Sequence, residues 1–142
     1  MEFPSSVNVK DENGTEVLAS MFAAEVKSGQ VIVLNGNLGS GKTFFIKMVL
    51  KSLSIHNVKS PSFTIVNEYN GKLKFYHFDF YRLKKIEELY DIGWADYLND
   101  SSAAIFIEWG ELLEPALPER RIEITITVIN DTKRKFEFRK YD

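Results

Sequence analysis

The sequence predicts a three-layer α/β sandwich, with parallel core strands and antiparallel strands added to the same mixed sheet. Three observations predict it. A continuous apolar run, a glycine-punctuated turn and an amphipathic stretch follow one another without a gap from Val31 to Leu53. A second continuous apolar run, Ala103–Ile107, has the composition of a strand buried on both faces. Towards the end of the chain, Ile122, Ile124, Ile126 and Val128 alternate with Glu123, Thr125 and Thr127, the pattern of a half-buried antiparallel strand.

The elements follow in order. Val17, Leu18, Met21, Phe22 and Val26 recur at helical spacing and predict a helix over Thr15–Lys27, with Gly29 placed to cap it. Val31–Leu34 reads as a buried strand, Gly36–Gly41 as a turn, and Lys42–Leu53 as a helix carrying Phe45, Ile46, Val49, Leu50 and Leu53. Thr64–Tyr69 and Leu73–Phe80 are strand-like runs split by Asn70-Gly71, a hairpin signal. By period two, His77 and Asp79 share a face with Phe75, and Tyr76, Phe78 and Phe80 share the other. Short helices are expected near Ile86–Asp91 and Ala95–Leu98. The buried run Ala103–Ile107 ends at Glu108, and Trp109–Pro118, with two prolines, reads as a loop. A last strand carries Phe136 and Phe138, joined to the preceding one through Asn130–Lys133.

Length and composition narrow the class. A chain of 142 residues is one domain's worth, so 1–142 is read as a single domain. Apolar residues at 44% and charged residues at 27% exclude a disordered or low-complexity chain. Eighteen Lys and Arg against twenty Asp and Glu give a net charge of −2, which argues against a broadly basic nucleic-acid coat. The absence of cysteine excludes a disulfide framework and a thiol nucleophile, and two histidines argue against a histidine metal site. No apolar run approaches the ~20 residues of a membrane span, and no basic, apolar leader is visible. The expectation is a soluble cytoplasmic domain without membrane partners.

Gly36-Asn37-Leu38-Gly39-Ser40-Gly41-Lys42-Thr43 fits G-x-x-x-x-G-K-[ST], the P-loop. Chance gives this pattern in about half a percent of chains this long, and here it has a strand before it and a helix after it. The chemistry explains the spacing. Glycines let backbone N–H groups of Asn37 to Thr43 turn inward and cradle phosphate oxygens. The following helix aims the positive end of its dipole at the same anion. Lys42 adds a full charge, and the Thr43 hydroxyl is placed for Mg²⁺. The predicted fold is therefore that of a P-loop NTPase.

Such a site needs a further acid for Mg²⁺ or for the attacking water. Two candidates end strands: Glu108 and Asp79. His77 reads as a packed or hydrogen-bonded residue, Arg82 as a surface residue in a salt bridge, and Trp109 as a packed aromatic able to stack on a base or partner. Ser60–Thr64 lies where several P-loop hydrolases carry a hydroxyl that senses the γ-phosphate, although its spacing alone fits an ordinary turn.

Taken together, GNLGSGKT (Gly36–Thr43), SPSFTIVNEY (Ser60–Tyr69), HFDFYRL (His77–Leu83), EELYDIGWADYL (Glu87–Leu98) and IEW (Ile107–Trp109) resemble the bacterial TsaE family. That family is the P-loop ATPase of tRNA threonylcarbamoyladenosine (t6A) biosynthesis, and the resemblance runs over about residues 9–138. It implies an ATPase that uses ATP and Mg²⁺, supports the TsaB–TsaD pair, has low activity alone and meets tRNA only indirectly. It implies that Lys42 holds phosphates, that Thr43 and Glu108 serve Mg²⁺, and that Asp79 is the essential acid. Thr64 falls in the switch-like loop, Trp109 matches the aromatic beside the metal ligand, and Glu12 and Arg134 fall on the nucleotide's far side. Two departures stand out. Asn37 replaces the usual Asp, and Gly110 replaces a frequent Pro, which is expected to loosen the loop after Trp109.

Two other classes fit a P-loop: a small-molecule kinase and a non-catalytic ATP sensor. The short chain and the lack of an Arg-rich lid segment argue against the kinase. Asn37 keeps the sensor open. No N-K-x-D guanine motif occurs, which argues against a GTPase.

Overall fold

The computed structural model describes residues 1–59 and 64–142. Seven strands form one mixed sheet in the order β1-β7-β6-β2-β5-β4-β3. They are β1 (Ser5–Val9), β2 (Val31–Asn35), β3 (Val66–Asn70), β4 (Lys74–Asp79), β5 (Ala103–Glu108), β6 (Arg121–Val128) and β7 (Arg134–Tyr141). The central β6, β2, β5 and β4 run parallel. Antiparallel pairing adds β7 and β1 at one side and β3 at the other.

Strand β2 shows why the runs are continuous. Ile32 and Leu34 join one core with Phe45, Ile46 and Phe22, under α1 (Glu12–Ala23) and α2 (Lys42–Ser52). Val31 and Val33 join a second core on the other face. That core is covered by α3 (Ile86–Asp91), α4 (Trp94–Leu98) and two 3₁₀ segments, Phe80–Arg82 and Gly110–Ala116. Two helical layers around a mixed sheet make the predicted three-layer sandwich. None of the described helices is long and apolar enough to cross a membrane.

Several element bounds differ from the sequence reading. Helix α1 starts at Glu12 rather than Thr15, because Asp11 caps it by accepting from Gly14 N at 2.9 Å. It stops at Ala23, short of Lys27. Strand β1 was not expected; its polar edge pattern carries little signal, and its partner lies at the far end of the chain. Thr64 stands before β3 rather than in it. The stretch after Trp109 is a 3₁₀ segment with a kink at Leu113, because Leu113 and Ala116 must reach the second core. At Gly110 a Cβ would meet Val33 Cγ1 at 2.9 Å, so glycine permits a close approach there.

Trp94 pins the second layer. Its ring is fully buried, edge-on to Phe78 at 4.8 Å, and its Nε1–H donates to the Ala116 carbonyl at 3.0 Å. Trp94→Phe keeps an aromatic ring and leaves that carbonyl unpaired. A stability loss of about 1–3 kcal/mol is expected, read as a lower urea midpoint at unchanged slope.

Candidate functional site

The carboxyl ends of the parallel strands converge on the loop between β2 and α2. Gly36 opens this loop, and a Cβ there would lie 2.5 Å from Ser40 Oγ and 2.8 Å from the Ile126 carbonyl, so the backbone turns only with glycine. Ser40 N donates to the Asn37 carbonyl at 3.0 Å and tightens the turn. Gly41 has φ +109 and leads directly into α2, whose first residues are Lys42 and Thr43. Asn37, Leu38 and Gly39 form the exposed crown of the loop, and Ser40 is buried.

Lys42 is a buried lysine. Its Nζ donates to the Gly36 carbonyl at 2.6 Å and lies 3.5 Å from the centroid of the Trp109 ring. Among the described residues it makes no ion pair within 4.0 Å. Burial holds its pKa below the ordinary lysine range, against the opposing charges of Glu111, Glu108 and Asp79. Trp109 reaches this position because it follows β5 with φ +61, a left-handed conformation uncommon for a side chain of its size. Its ring also meets Tyr81 at 5.1 Å.

Strand register brings the acids alongside. Glu108 pairs with Leu34 on β2 and with Asp79 on β4. Its carboxylate is buried, and Thr43 Oγ1 lies 2.8 and 2.9 Å from its two oxygens. His77 Nε2 lies 2.6 Å from Glu108 Oε2. Asp79 accepts from Tyr81 N at 2.9 Å and caps the 3₁₀ segment. Burial raises the Asp79 pKa, with the Glu108 charge adding to the rise. The Tyr81 hydrogen bond, His77 and Lys42 oppose it. Lys42, Thr43, Glu108, Asp79 and Trp109, singled out separately in the sequence, therefore meet at one place.

The remaining candidates lie to the side. Arg134 donates from Nε to the Ser40 carbonyl at 3.1 Å and ties the β6–β7 turn to the glycine-rich loop. Beside it is a cavity of about 240 Å³ lined by Asp11, Glu12, Gly41, Phe44, Asp131 and Arg134, among others. Thus Glu12 and Arg134 do share a cleft at the N-terminus of α2. Thr64 is exposed, and its hydroxyl donates to Asn67 Oδ1 at 2.9 Å; no hydrogen bond joins it to Lys42, Thr43 or Glu108. The rest of the hydroxyl loop, residues 60–63, lies outside the described residues. His77 is hydrogen-bonded as the sequence suggested, but its partner, an acid of this site, was not foreseen; the shared face with Asp79 was the only available signal.

A strand, a glycine-rich turn and a helix beginning Lys-Thr, at the carboxyl ends of parallel strands, define an α/β protein whose candidate site lies at the strand ends. Comparison with known proteins narrows this class. The family described as "Threonylcarbamoyl adenosine biosynthesis protein TsaE" matches residues 9–136. The tRNA threonylcarbamoyladenosine biosynthesis protein TsaE of Bacillus subtilis (strain 168) is 40% identical over 126 residues, 87% of this chain and 78% of that protein. Its counterpart in Rickettsia felis is 36% identical over 129 residues, 89% of this chain and 74% of that protein. The crystal structure of YdiB from Bacillus subtilis aligns over 100% of this chain and 90% of that one, with a TM-score of 0.81 and 31% identity. The chain belongs to the TsaE family of tRNA t6A biosynthesis.

The Asp79 shift has a stability consequence. Folded Asp79 binds its proton more readily than unfolded Asp79, so its contribution is full below the ordinary carboxylate range, near 4. That contribution is lost as pH rises through the raised folded value. Asp79→Asn, which keeps the acceptor for Tyr81 N, is expected to stabilise the ligand-free protein at pH 7. The gain should shrink as pH falls towards 4, read by urea unfolding across that range.

Proposed function

We propose that this chain is a Mg²⁺-dependent ATPase that supports t6A modification of tRNA through the TsaB–TsaD pair. The observation that carries this reading is the meeting of the Thr43 hydroxyl and the buried Glu108 carboxylate at 2.8 and 2.9 Å, on the first turn of the helix that follows the glycine loop.

The residues present fit Mg-ATP. Gly36 permits a turn that any Cβ would block, and the buried Lys42 ammonium is satisfied by a carbonyl and a ring rather than by a carboxylate. A cation kept in this way gains when an anion arrives, because the new charge offsets its burial. An oxygen pair from Thr and Glu matches a hard cation that keeps several waters. Mg²⁺ held there would supply charge neutralisation to the phosphates.

In this reading Lys42 leaves the Gly36 carbonyl and holds phosphate oxygens. The backbone N–H groups of residues 37–43 bind the same anion, and the α2 dipole adds to the attraction. Thr43 and Glu108 hold the metal. Asp79 orients a water and accepts its proton as the water oxygen bonds to the γ-phosphorus and the bond to ADP breaks. Its raised pKa makes it a better base than an ordinary carboxylate. The cleft between Glu12 and Arg134 takes the nucleoside end, and Thr64 lies in the loop that responds to the γ-phosphate.

Turnover alone is slow in this reading. In related hydrolases an arginine supplied by a partner raises the rate by about 10³–10⁵, and here Arg134 is held by the Ser40, Asn130 and Lys133 carbonyls. Membership of the t6A family supports TsaB–TsaD as that partner. Exposed Tyr81, Tyr90 and Ile92 offer apolar surface for the contact. tRNA is then met indirectly, in the cytoplasm.

Lys42→Ala removes a charged donor worth about 1.5–3 kcal/mol, so nucleotide affinity should fall about 10–100-fold in a calorimetric titration. Glu108→Ala should keep most of the nucleotide affinity and lose about 100-fold or more in Mg²⁺-dependent turnover. Phosphate release from Mg-ATP, measured alone and with purified TsaB–TsaD, tests the whole reading. A sharp rise with the pair is expected. Equal, brisk release without the pair would reject partner gating. Transfer of the phosphate to an added acceptor would indicate a kinase, and ATP binding without product would indicate a sensor.

A further inference from the structure

His77 is the one fully buried titratable side chain at the site that the proposed reaction leaves without a task. It lies in the middle of β4, flanked by β5 and β3, where it pairs with Phe106 and Asn67. Its ring has no solvent exposure. Among the described residues, Nε2 makes one hydrogen bond, with Glu108 Oε2 at 2.6 Å, and Nδ1 has no partner.

A buried polar atom without a partner is costly, about 1–3 kcal/mol. An apolar residue in the same place would avoid that cost, so packing alone does not account for an imidazole here. What the imidazole provides is a single directed donor. With Glu108 as carboxylate acceptor, the ring N–H sits on Nε2 and points at Oε2.

Among the described residues, two side chains hydrogen-bond the Glu108 carboxylate. Its carboxylate meets the Thr43 hydroxyl at both oxygens and His77 at one. Thr43 carries one hydroxyl proton, so its contact with two oxygens leaves rotation of the carboxylate about its last bond poorly fixed. The His77 donor breaks that symmetry. It fixes Oε2 towards β4 and leaves Oε1 presented to Thr43 Oγ1.

We infer that His77 is a positioning residue, which holds the Glu108 carboxylate in the one rotation that presents it with Thr43 to a divalent cation. This rests on the reading of Thr43 and Glu108 as the Mg²⁺ ligands. Partners of metal ligands typically change metal affinity or activity by about 10–100-fold when lost. His77 itself touches neither nucleotide nor metal.

The geometry separates the two amide replacements. The glutamine side-chain nitrogen reaches about as far from the backbone as Nε2, whereas the asparagine nitrogen falls near Nδ1. His77→Gln should therefore keep the donor to Glu108, and His77→Asn should lose it. The test is the Mg²⁺ concentration that half-saturates tight ADP binding, read by calorimetry, with ADP binding in EDTA and the melting temperature measured alongside. Wild type and His77→Gln are expected to need similar Mg²⁺, and His77→Asn about 10–100 times more. ADP binding in EDTA should be the same in all three.

Equal Mg²⁺ requirement in the Gln and Asn variants, with wild type still Mg²⁺-dependent, would overturn the assignment. So would unfolding of both, which would make His77 a packing residue only. Wild-type binding indifferent to Mg²⁺ would instead remove the metal reading on which the assignment rests.

Discussion

Burial of the Glu108 carboxylate is the constraint on which the candidate site depends. A carboxylate taken out of water costs several kcal/mol unless donors replace its hydration. Here two donors do so, the Thr43 hydroxyl from the first turn of α2 and Nε2 of His77 from β4. Thr43 follows β2 through the glycine-rich loop and His77 lies on β4, so both donors reach Glu108 through the parallel register of β2, β5 and β4. The alternating apolar residues of those strands, Ile32 and Leu34 on one face and Val31 and Val33 on the other, secure that register by filling two cores at once.

The same region carries costs of burial and of backbone strain. Lys42 and Asp79 are both displaced by burial towards their neutral forms. Trp109 adopts a positive φ that costs about 1–3 kcal/mol. Such costs persist where the surroundings enforce them, and the close contacts at Gly36 and Gly110 show how tightly the turn and the strand end are packed. In this arrangement Lys42 rests against Trp109 and the Gly36 carbonyl, so its charge is held in place without a carboxylate partner within 4.0 Å among the described residues.

Much of this was legible in the sequence because the cradle is local. Gly36, Gly41, Lys42 and Thr43 act within one turn of chain, and their spacing carries their geometry. Glu108 and Asp79 were legible as acids ending strands. The Glu108 partner of His77 was not, because it is 31 residues away across a strand pair, and period two says only which face the ring takes. Strand β1 was missed for the same reason: Ser5–Val9 has few apolar residues and pairs with β7 near the other end of the chain. The start of α1 was hidden by Asn13 and Gly14, poor helix formers that the Asp11 cap makes tolerable. The prolines near Gly110–Ala116 suggested a loop, but the demands of the second core, met by Leu113 and Ala116, set a 3₁₀ path.

The central claim is that Thr43 and Glu108 form a metal site that exists for a bound nucleotide. Mn²⁺ replaces Mg²⁺ at oxygen-rich sites of this kind, and the free ion gives a strong paramagnetic resonance signal. The most direct measurement is a Mn²⁺ titration of the protein with ADP, reading the free ion, in wild type and Glu108→Gln. The account predicts one tightly held Mn²⁺ per nucleotide-bound wild-type chain, and Mn²⁺ held no better than by free ADP in the variant. Equal Mn²⁺ retention by the two proteins would contradict it.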